Sequence, residues 1–397
     1  MTTVVERWNI HPEHRWLRGE RPQTPIVYDE EQKVWNVYGH PEIFEMLGDH
    51  ERFSSETTRL LPVEVDPDLV AGDMTQMDPP QHRKFRQLVS KAFTPRAVAK
   101  LEPRVHEITA ELMREIEGRD RIELVADLAY TLPVIVIAEL LGVPAQDRDL
   151  FKGWAENIIE SFSGFSFLDG SEEGRQNLDN AADVVRPLFD YLAEHLDDRR
   201  ANPRDDLLTH LACAEADGER LTKTEAVNVA NIILVTGHIT TTMLLGNTLL
   251  CLDANPDQAK RVRADRSLVP GAIEEALRVL PPSTVLTRAT KEEVRIGGTT
   301  IPADQLLLLW LGAGNRDPRR FPDPAAYLPD RDPNPHFGFG RGIHFCVGAG
   351  LTRLEGEVAL NALLDQFPVL ETDPDDPPTF VPTSDMIGIK SLPLRTR

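Results

Sequence analysis

From Gly312 to Gly348 the chain reads GAGNRDPRRFPDPAAYLPDRDPNPHFGFGRGIHFCVG, crowded with Pro and Gly and without helical or strand periodicity. A structureless segment of that length in a compact protein is either disordered or functional. Its Phe, Tyr and Arg content favours a loop held in place for a purpose. The loop runs through Cys346 into AGLTRLEGEVAL, a strongly helical stretch that begins near Gly348. Gly338, Gly340 and Gly342 allow close backbone approach or positive φ ahead of the cysteine. A sulfur at a helix N-terminus feels the positive end of the dipole, which stabilises its thiolate. The other cysteines, Cys213 and Cys251, fall on helical faces and read as small buried hydrophobes.

Most of the remaining chain reads as helix. Capping residues followed by apolar positions three and four apart recur at about 79–92, 96–118, 146–162, 175–199, 222–253 and 268–279. Strand signals are short. YDEEQKVWNVYG (28–39) reads as a hairpin, and TVLTRAT, EEVRIGGTTIP and QLLLLWL, within 284–311, read as a small sheet. The 397 residues exceed the size at which one core usually stops growing, yet no linker interrupts them, so the pattern predicts a single domain over 1–397, mainly α with a small β region. With 43 basic against 64 acidic residues the net charge is −21, which speaks against nucleic acid as a partner. The N-terminal residues lack the apolar core of a signal peptide. PVIVIAELLGV and QLLLLWLGAG are too short to span a bilayer, so a soluble, cytoplasmic protein with no membrane partner is expected. The cysteines show no CxxC spacing, in keeping with a reducing compartment. HPEH (11–14) lacks the further ligands a metal hydrolase needs.

The run FGRGIHFCVG, with Phe339, Gly340, Gly342, His344, Cys346 and Gly348 at fixed places, resembles position for position the haem-binding loop of the cytochrome P-450 superfamily. The resemblance implies that fold, with haem b lying between a long distal helix and the proximal cysteine loop-helix. It makes Cys346 the axial iron ligand, with Phe339, His344 and Gly348 against the cofactor. Glu275 and Arg278 resemble the ExxR motif of that superfamily, and their i,i+3 spacing puts both charges on one helix face. Arg331 resembles the third member of the same buried network, whose implied role is to hold the loop in shape. MDPPQHRKFRQLVSKAFTPR (77–96) resembles the helix that crosses the haem edge. There His82 and Arg86, with Arg288 and His344, are the implied propionate contacts through charge-assisted bonds.

ILVTGHITTTML (233–244) sits in a segment that otherwise reads as helix, although Gly237 costs roughly 1 kcal/mol there and Thr240, Thr241 and Thr242 lose rotamer freedom. By resemblance Gly237 and Thr240 form the groove of a locally widened distal helix, where Thr240 hydrogen-bonds dioxygen. Thr241 and Thr242 read as structural. The superfamily pattern has an acid before that threonine; here it is Ile239. Losing a positioned proton donor costs about 10²–10⁴ in rate. Three explanations stand: a substrate hydroxyl or carboxyl organises water, His238 relays protons, or the chemistry is slow, peroxide-driven or absent.

By the same resemblance the substrate wall comprises Val285, Leu286, Met386 and Ile387. Phe162, Phe165 and Phe167 of the lid region 154–170 and the loop 54–76 add to it. The sequence carries no reductase module, which implies electron supply by a separate ferredoxin and ferredoxin reductase. An acidic ferredoxin would be steered by Arg83, Lys84, Lys91, Arg341 and Arg353. The implied activity is a monomeric haem-thiolate monooxygenase. It would insert one atom of O2 into a small organic substrate, as a tailoring step on a polyketide or aromatic acid, either free or tethered to a carrier protein. A peroxide-driven peroxygenase and a haem-bearing recruiting protein without oxygen activation are the alternatives.

Overall fold

The computed structural model describes residues 8, 10–61, 67–147, 150–151, 153–154, 157, 171–216 and 219–397. Most of the helix expected over 146–162, together with Phe162, Phe165 and Phe167, lies outside the described residues. Among the described residues, ten α-helices of six residues or more frame the rest: α1 (His40–Gly48), α2 (Gln81–Ser90), α3 (Pro95–Glu115), α4 (Thr131–Leu141), α5 (Glu172–Ala201), α6 (Leu207–Ala212), α7 (Lys223–Asp253), α8 (Pro256–Ala264), α9 (Val269–Val279) and α10 (Ala349–Gln366). Five of these match the periodic stretches, and α10 begins one residue past Gly348, as expected. Pro in the first turn, where no backbone donor is needed, starts α1, α8 and α9.

The strands that frame the site are β1 (Ile26–Asp29), β2 (Val34–Val37), β3 (Phe53–Ser54), β4 (Val285–Thr290), β5 (Val294–Ile296), β6 (Thr299–Ile301) and β7 (Leu306–Trp310), and further short strands pair elsewhere. The expected hairpin forms between β1 and β2, with Ile26 opposite Val37. β7 lies between β2, to which it is parallel, and β4, to which it is antiparallel, giving the order β1-β2-β7-β4-β3. All five residues of β7 are buried, which explains its unbroken LLLLW run. β5 and β6 pair as a separate hairpin.

The chain divides into two compact units. The first comprises Met1–Ser54, Pro103–Leu132 and Thr240–Arg397 and contains the five-stranded sheet, α1, α9 and α10. Its apolar cluster joins Ile26, Val37, Ile43, Leu47, Leu307, Leu309 and Phe337, so the sheet, α1 and the end of the Pro/Gly-rich loop share one core. Each such side chain removed from water contributes on the order of 1.5–3 kcal/mol. The second unit comprises Ser55–Glu102 and Pro133–Ile239. In it the fully buried Arg199 of α5 bonds Asp206 at 2.6 Å and the Gly142 carbonyl at 2.7 Å, while Asp206 caps α6.

Helix α7 runs through 31 residues and contributes to both units. Among the described residues it alone is long and apolar enough to cross a membrane, and 67% of its most apolar window is buried in the protein. It is therefore a core helix, longer than either apolar stretch singled out from the sequence. Cys251 is buried within it, as expected. Cys213 is not: α6 stops at Ala212 and leaves Cys213 exposed at its C-terminal cap.

Candidate active site

The Pro/Gly-rich loop is ordered by buried polar groups. Arg278 makes a two-pronged ion pair with Glu275, both bonds at 2.7 Å and both side chains fully buried. The remaining Arg278 donors reach the carbonyls of Asn315, Pro324 and Ala326. Glu275 also accepts from Arg331 Nε at 2.9 Å, from the Leu328 N–H and from Asn334. The three residues expected as a network therefore form one, and its Glu275–Arg278 pair holds loop backbone at four points between 315 and 328. A buried pair of this kind is expensive to break: removing one partner costs about 3–5 kcal/mol.

The second half of the loop rests on α1. Asp317 accepts from the His40 N–H, the His40 ring donates to the Pro335 carbonyl, and that ring stacks on Phe337 at 4.4 Å. Arg319 bridges Asp317 and Glu42, and Asn315 accepts from the Phe337 N–H at 2.7 Å. Gly340 and Gly342 have φ of 66° and 73°, and any side chain at Gly342 would collide with the Leu47 carbonyl. His40, Glu42, Asn315, Asp317 and Arg319 escaped the sequence reading. The Asn-Arg-Asp-Pro stretch at 315–318 was their only local signal.

Held in this way, the backbone turns at Gly342–His344 and the Cys346 N–H donates to the Phe339 carbonyl at 2.9 Å. Cys346 and Phe345 are exposed, two residues before the Gly348 cap of α10. An exposed thiol at the end of a tightly bonded loop has the donor chemistry and accessibility that a thiolate iron ligand requires. Phe339 is buried beneath the guanidinium of Arg353, which lies 4.6 Å from its ring centroid. Arg353, expected among the docking cations, is also doubly bonded to Glu274. Arg341 stacks its guanidinium over the exposed ring of Phe44.

Of the expected propionate contacts, Arg288 is buried on β4 and bonds the Thr287 carbonyl, and His344 is half-buried in the turn before Cys346. In the second unit His82 is buried and Arg86 half-buried, sharing one face of α2. Arg83 and Lys91 are exposed and Lys84 is half-buried. Val285 and Leu286 are half-buried, with Leu286 against the sheet core. Met386 is half-buried and bridged to Ser283, which sets it near the start of β4, while Ile387 is fully buried. His14 of the HPEH stretch is buried and donates to the Met386 carbonyl.

On α7 the structure departs from expectation in one respect. The helix is regular α from end to end, without local widening. Gly237 leaves room instead for Ile137, which would lie 3.2 Å from an added Cβ. Thr240 is half-buried, and Ile239 is buried. Thr241 and Thr242 are buried, and the Thr241 hydroxyl meets that of Thr352 on α10 at 3.3 Å, a structural contact as expected. His238 is buried with Nδ1 bonded to the Leu234 carbonyl, and burial pushes its pKa down to about 4. One turn beyond Thr352, Glu355 is buried, and burial alone pushes its carboxyl up to about 8.

Comparison with known proteins agrees with this arrangement. The sequence matches the model of the family described as Cytochrome P450 over residues 3–396. Cyclomarin C epoxidase CymV of Salinispora arenicola is 43% identical over 385 residues, covering 97% of this chain and 96% of that protein. Erythromycin C-12 hydroxylase of Saccharopolyspora erythraea is 36% identical over 399 residues, covering 99% and 98%. The crystal structure of HmtT, involved in himastatin biosynthesis, is 68% identical with a TM-score of 0.91, covering 99% of this chain and 100% of that one. HmtN, a post-tailoring hydroxylase of himastatin biosynthesis, is 49% identical with a TM-score of 0.90, covering 100% of both chains. The chain belongs to the cytochrome P450 family. It is a monooxygenase of a haem-binding family whose members use O2, an organic substrate and redox partners, and its relatives tailor bacterial secondary metabolites.

Proposed function

We propose that this chain is a single-domain, monomeric, cytoplasmic monooxygenase that binds haem b through Cys346 and oxygenates a secondary-metabolite scaffold. The observation that carries the reading is the exposed Cys346 thiol at the end of a loop fixed by Glu275, Arg278 and Arg331. When bound, the haem supplies oxygen activation, with the thiolate favouring O–O cleavage. The chain supplies the rest. His82, Arg86, Arg288 and His344 hold the propionates, Phe339 and Gly348 pack against the cofactor, and Thr240 offers its hydroxyl to dioxygen. Val285, Leu286 and Met386 contribute to the substrate wall, to which Phe162 and Phe165 are assigned by the family resemblance alone. Electrons come from a ferredoxin and its reductase.

Proton supply at Ile239 follows the substrate-assisted route. Ile239 is buried and apolar. His238 faces its own helix carbonyl, and its pKa of about 4 leaves it uncharged at neutral pH, which disfavours it as the acid. A hydroxyl or carboxyl on the substrate then organises the water that Thr240 needs. A peroxygenase with the same substrate group as acid–base partner is the second reading, favoured by the missing acid alone.

A haem spin-state titration tests the reading. Polyketide and aromatic acids are offered free and tethered to a carrier protein, beside assembled metabolites of the class that the relatives tailor. A low- to high-spin shift with a free acid or an assembled metabolite, followed by product that requires ferredoxin, supports it. A shift with the tethered form only would make the carrier protein a partner and move the proton source elsewhere. Turnover with hydrogen peroxide and none with ferredoxin would establish the peroxygenase instead.

A further inference from the structure

Two adjacent carboxylates on α9 serve different parts of the loop. Glu275 faces the segment 315–334, as described. Glu274 faces the other way and gathers three donors: Arg353 Nε at 2.6 Å, Arg353 Nη2 at 2.9 Å and His336 Nε2 at 3.0 Å. His336 is itself fixed, because its Nδ1 accepts the Gly338 N–H at 3.0 Å, which leaves Nε2 to carry the proton. Burial opposes the charge on Glu274, but the hydrogen bonds from His336 and Arg353 outweigh it and hold the carboxyl at about 2. The other face of the Arg353 guanidinium lies on the Phe339 ring, and the Phe339 carbonyl accepts the N–H of Cys346.

This chain of contacts leads from a charged cluster to the backbone of one residue. As a stability device it is weak: the Glu274 and Arg353 side chains are 29% and 37% exposed, and ion pairs so exposed contribute about 0–1 kcal/mol. The geometry is nevertheless demanding. It requires a two-pronged bond, a planar stack and a fixed imidazole tautomer, all converging on the residue that accepts from Cys346. An ion pair needed only to join α9 to α10 would need none of this.

We infer that Glu274 and Arg353 are positioning residues for the thiolate ligand: their ion pair, braced by His336, fixes the Phe339 ring and, through its carbonyl, the Cys346 backbone from which the sulfur is presented. The inference rests on the reading of Cys346 as the iron ligand. Arg353 also interacts electrostatically with Cys346; action through geometry predicts that removing either partner moves the sulfur's properties in the same direction, whereas action through charge predicts opposite directions.

The test uses the haem-loaded protein and the variants Glu274→Gln, Arg353→Met and Arg353→Lys, with haem content and circular dichroism confirming that each is folded. Two quantities are read: the rate at which the reduced carbon monoxide complex loses its thiolate-type band in mild denaturant, and the ferric/ferrous midpoint potential. All three variants are expected to lose the band about tenfold faster, the scale typical of groups that orient a metal ligand. Their potentials should shift in one common direction. Arg353→Lys keeps the charge but loses the fork and the stack, so its failure to rescue marks geometry as the cause. The inference is overturned if Arg353→Lys behaves as wild type, if the potentials of Glu274→Gln and Arg353→Met move in opposite directions, or if nothing changes. A wild-type protein without the thiolate-type band would overturn the ligand assignment and this inference with it, an outcome readily told apart from unchanged variants.

Discussion

At the scale of single residues, the account turns on Glu275 and Arg278, fully buried charges that satisfy one another, four points of loop backbone and the Arg331 guanidinium. Glu275→Gln keeps the shape but strands a buried guanidinium. It should lower unfolding stability by about 3–5 kcal/mol and leave much of the protein without haem, measured by denaturant titration and haem content. The pair and Cys346 were legible in the sequence because both resemble motifs of the superfamily, the pair gaining weight from its place ahead of the cysteine loop. His40, Glu42, Asn315 and Asp317 were not, although they hold the same loop. Each acts on a group far away in sequence, as when His40 meets the Pro335 carbonyl and Glu42 the Arg319 guanidinium, and no local pattern announces such a contact. Arg353 shows the converse: a cation that looked available for a partner is engaged by Glu274, because the α9 helix brings a carboxylate to it.

At the scale of elements, α7 and α10 meet through buried polar groups where an apolar seam would be simpler. Thr241 touches Thr352, and one turn later α10 buries Glu355, whose carboxyl is pushed up by burial alone. The folded-state pKa of Glu355, about 8, lies above the ordinary 4.5, so the folded protein holds a proton there that the unfolded chain has released. Stability from this group is full below about pH 4.5 and is lost as pH rises through about 8. Glu355→Gln should therefore flatten the fall in melting temperature between about pH 4.5 and 8, whereas an unchanged profile would place the titration elsewhere. The apolar stripes of α2, α3 and α5 were readable, and so were the β1–β2 hairpin and the LLLLW strand. Helix α4 was not, since TLPVIVIAELL is apolar on all sides and has no stripe to read. The regularity of α7 around Gly237 was also invisible, because Ile137, which fills the space beside that glycine, lies a hundred residues earlier in the chain.

At the scale of the molecule, a net charge of −21 repels an acidic ferredoxin, so docking requires local cations. With Arg353 already paired, the exposed Arg83 and Lys91 become the main candidates. Arg83→Glu should raise the KM for ferredoxin severalfold at low salt and much less at high salt, while Kd for substrate stays constant; equal effects at both salt levels would exclude steering. The claim beneath all of this is that Cys346 holds the haem iron. The carbon monoxide difference spectrum of the reduced protein, recorded for wild type and for Cys346→Ala at matched haem content, tests it most directly. The account predicts the thiolate-type band in the wild type and its complete loss in the variant. The same band persisting in Cys346→Ala would show that another group binds the iron.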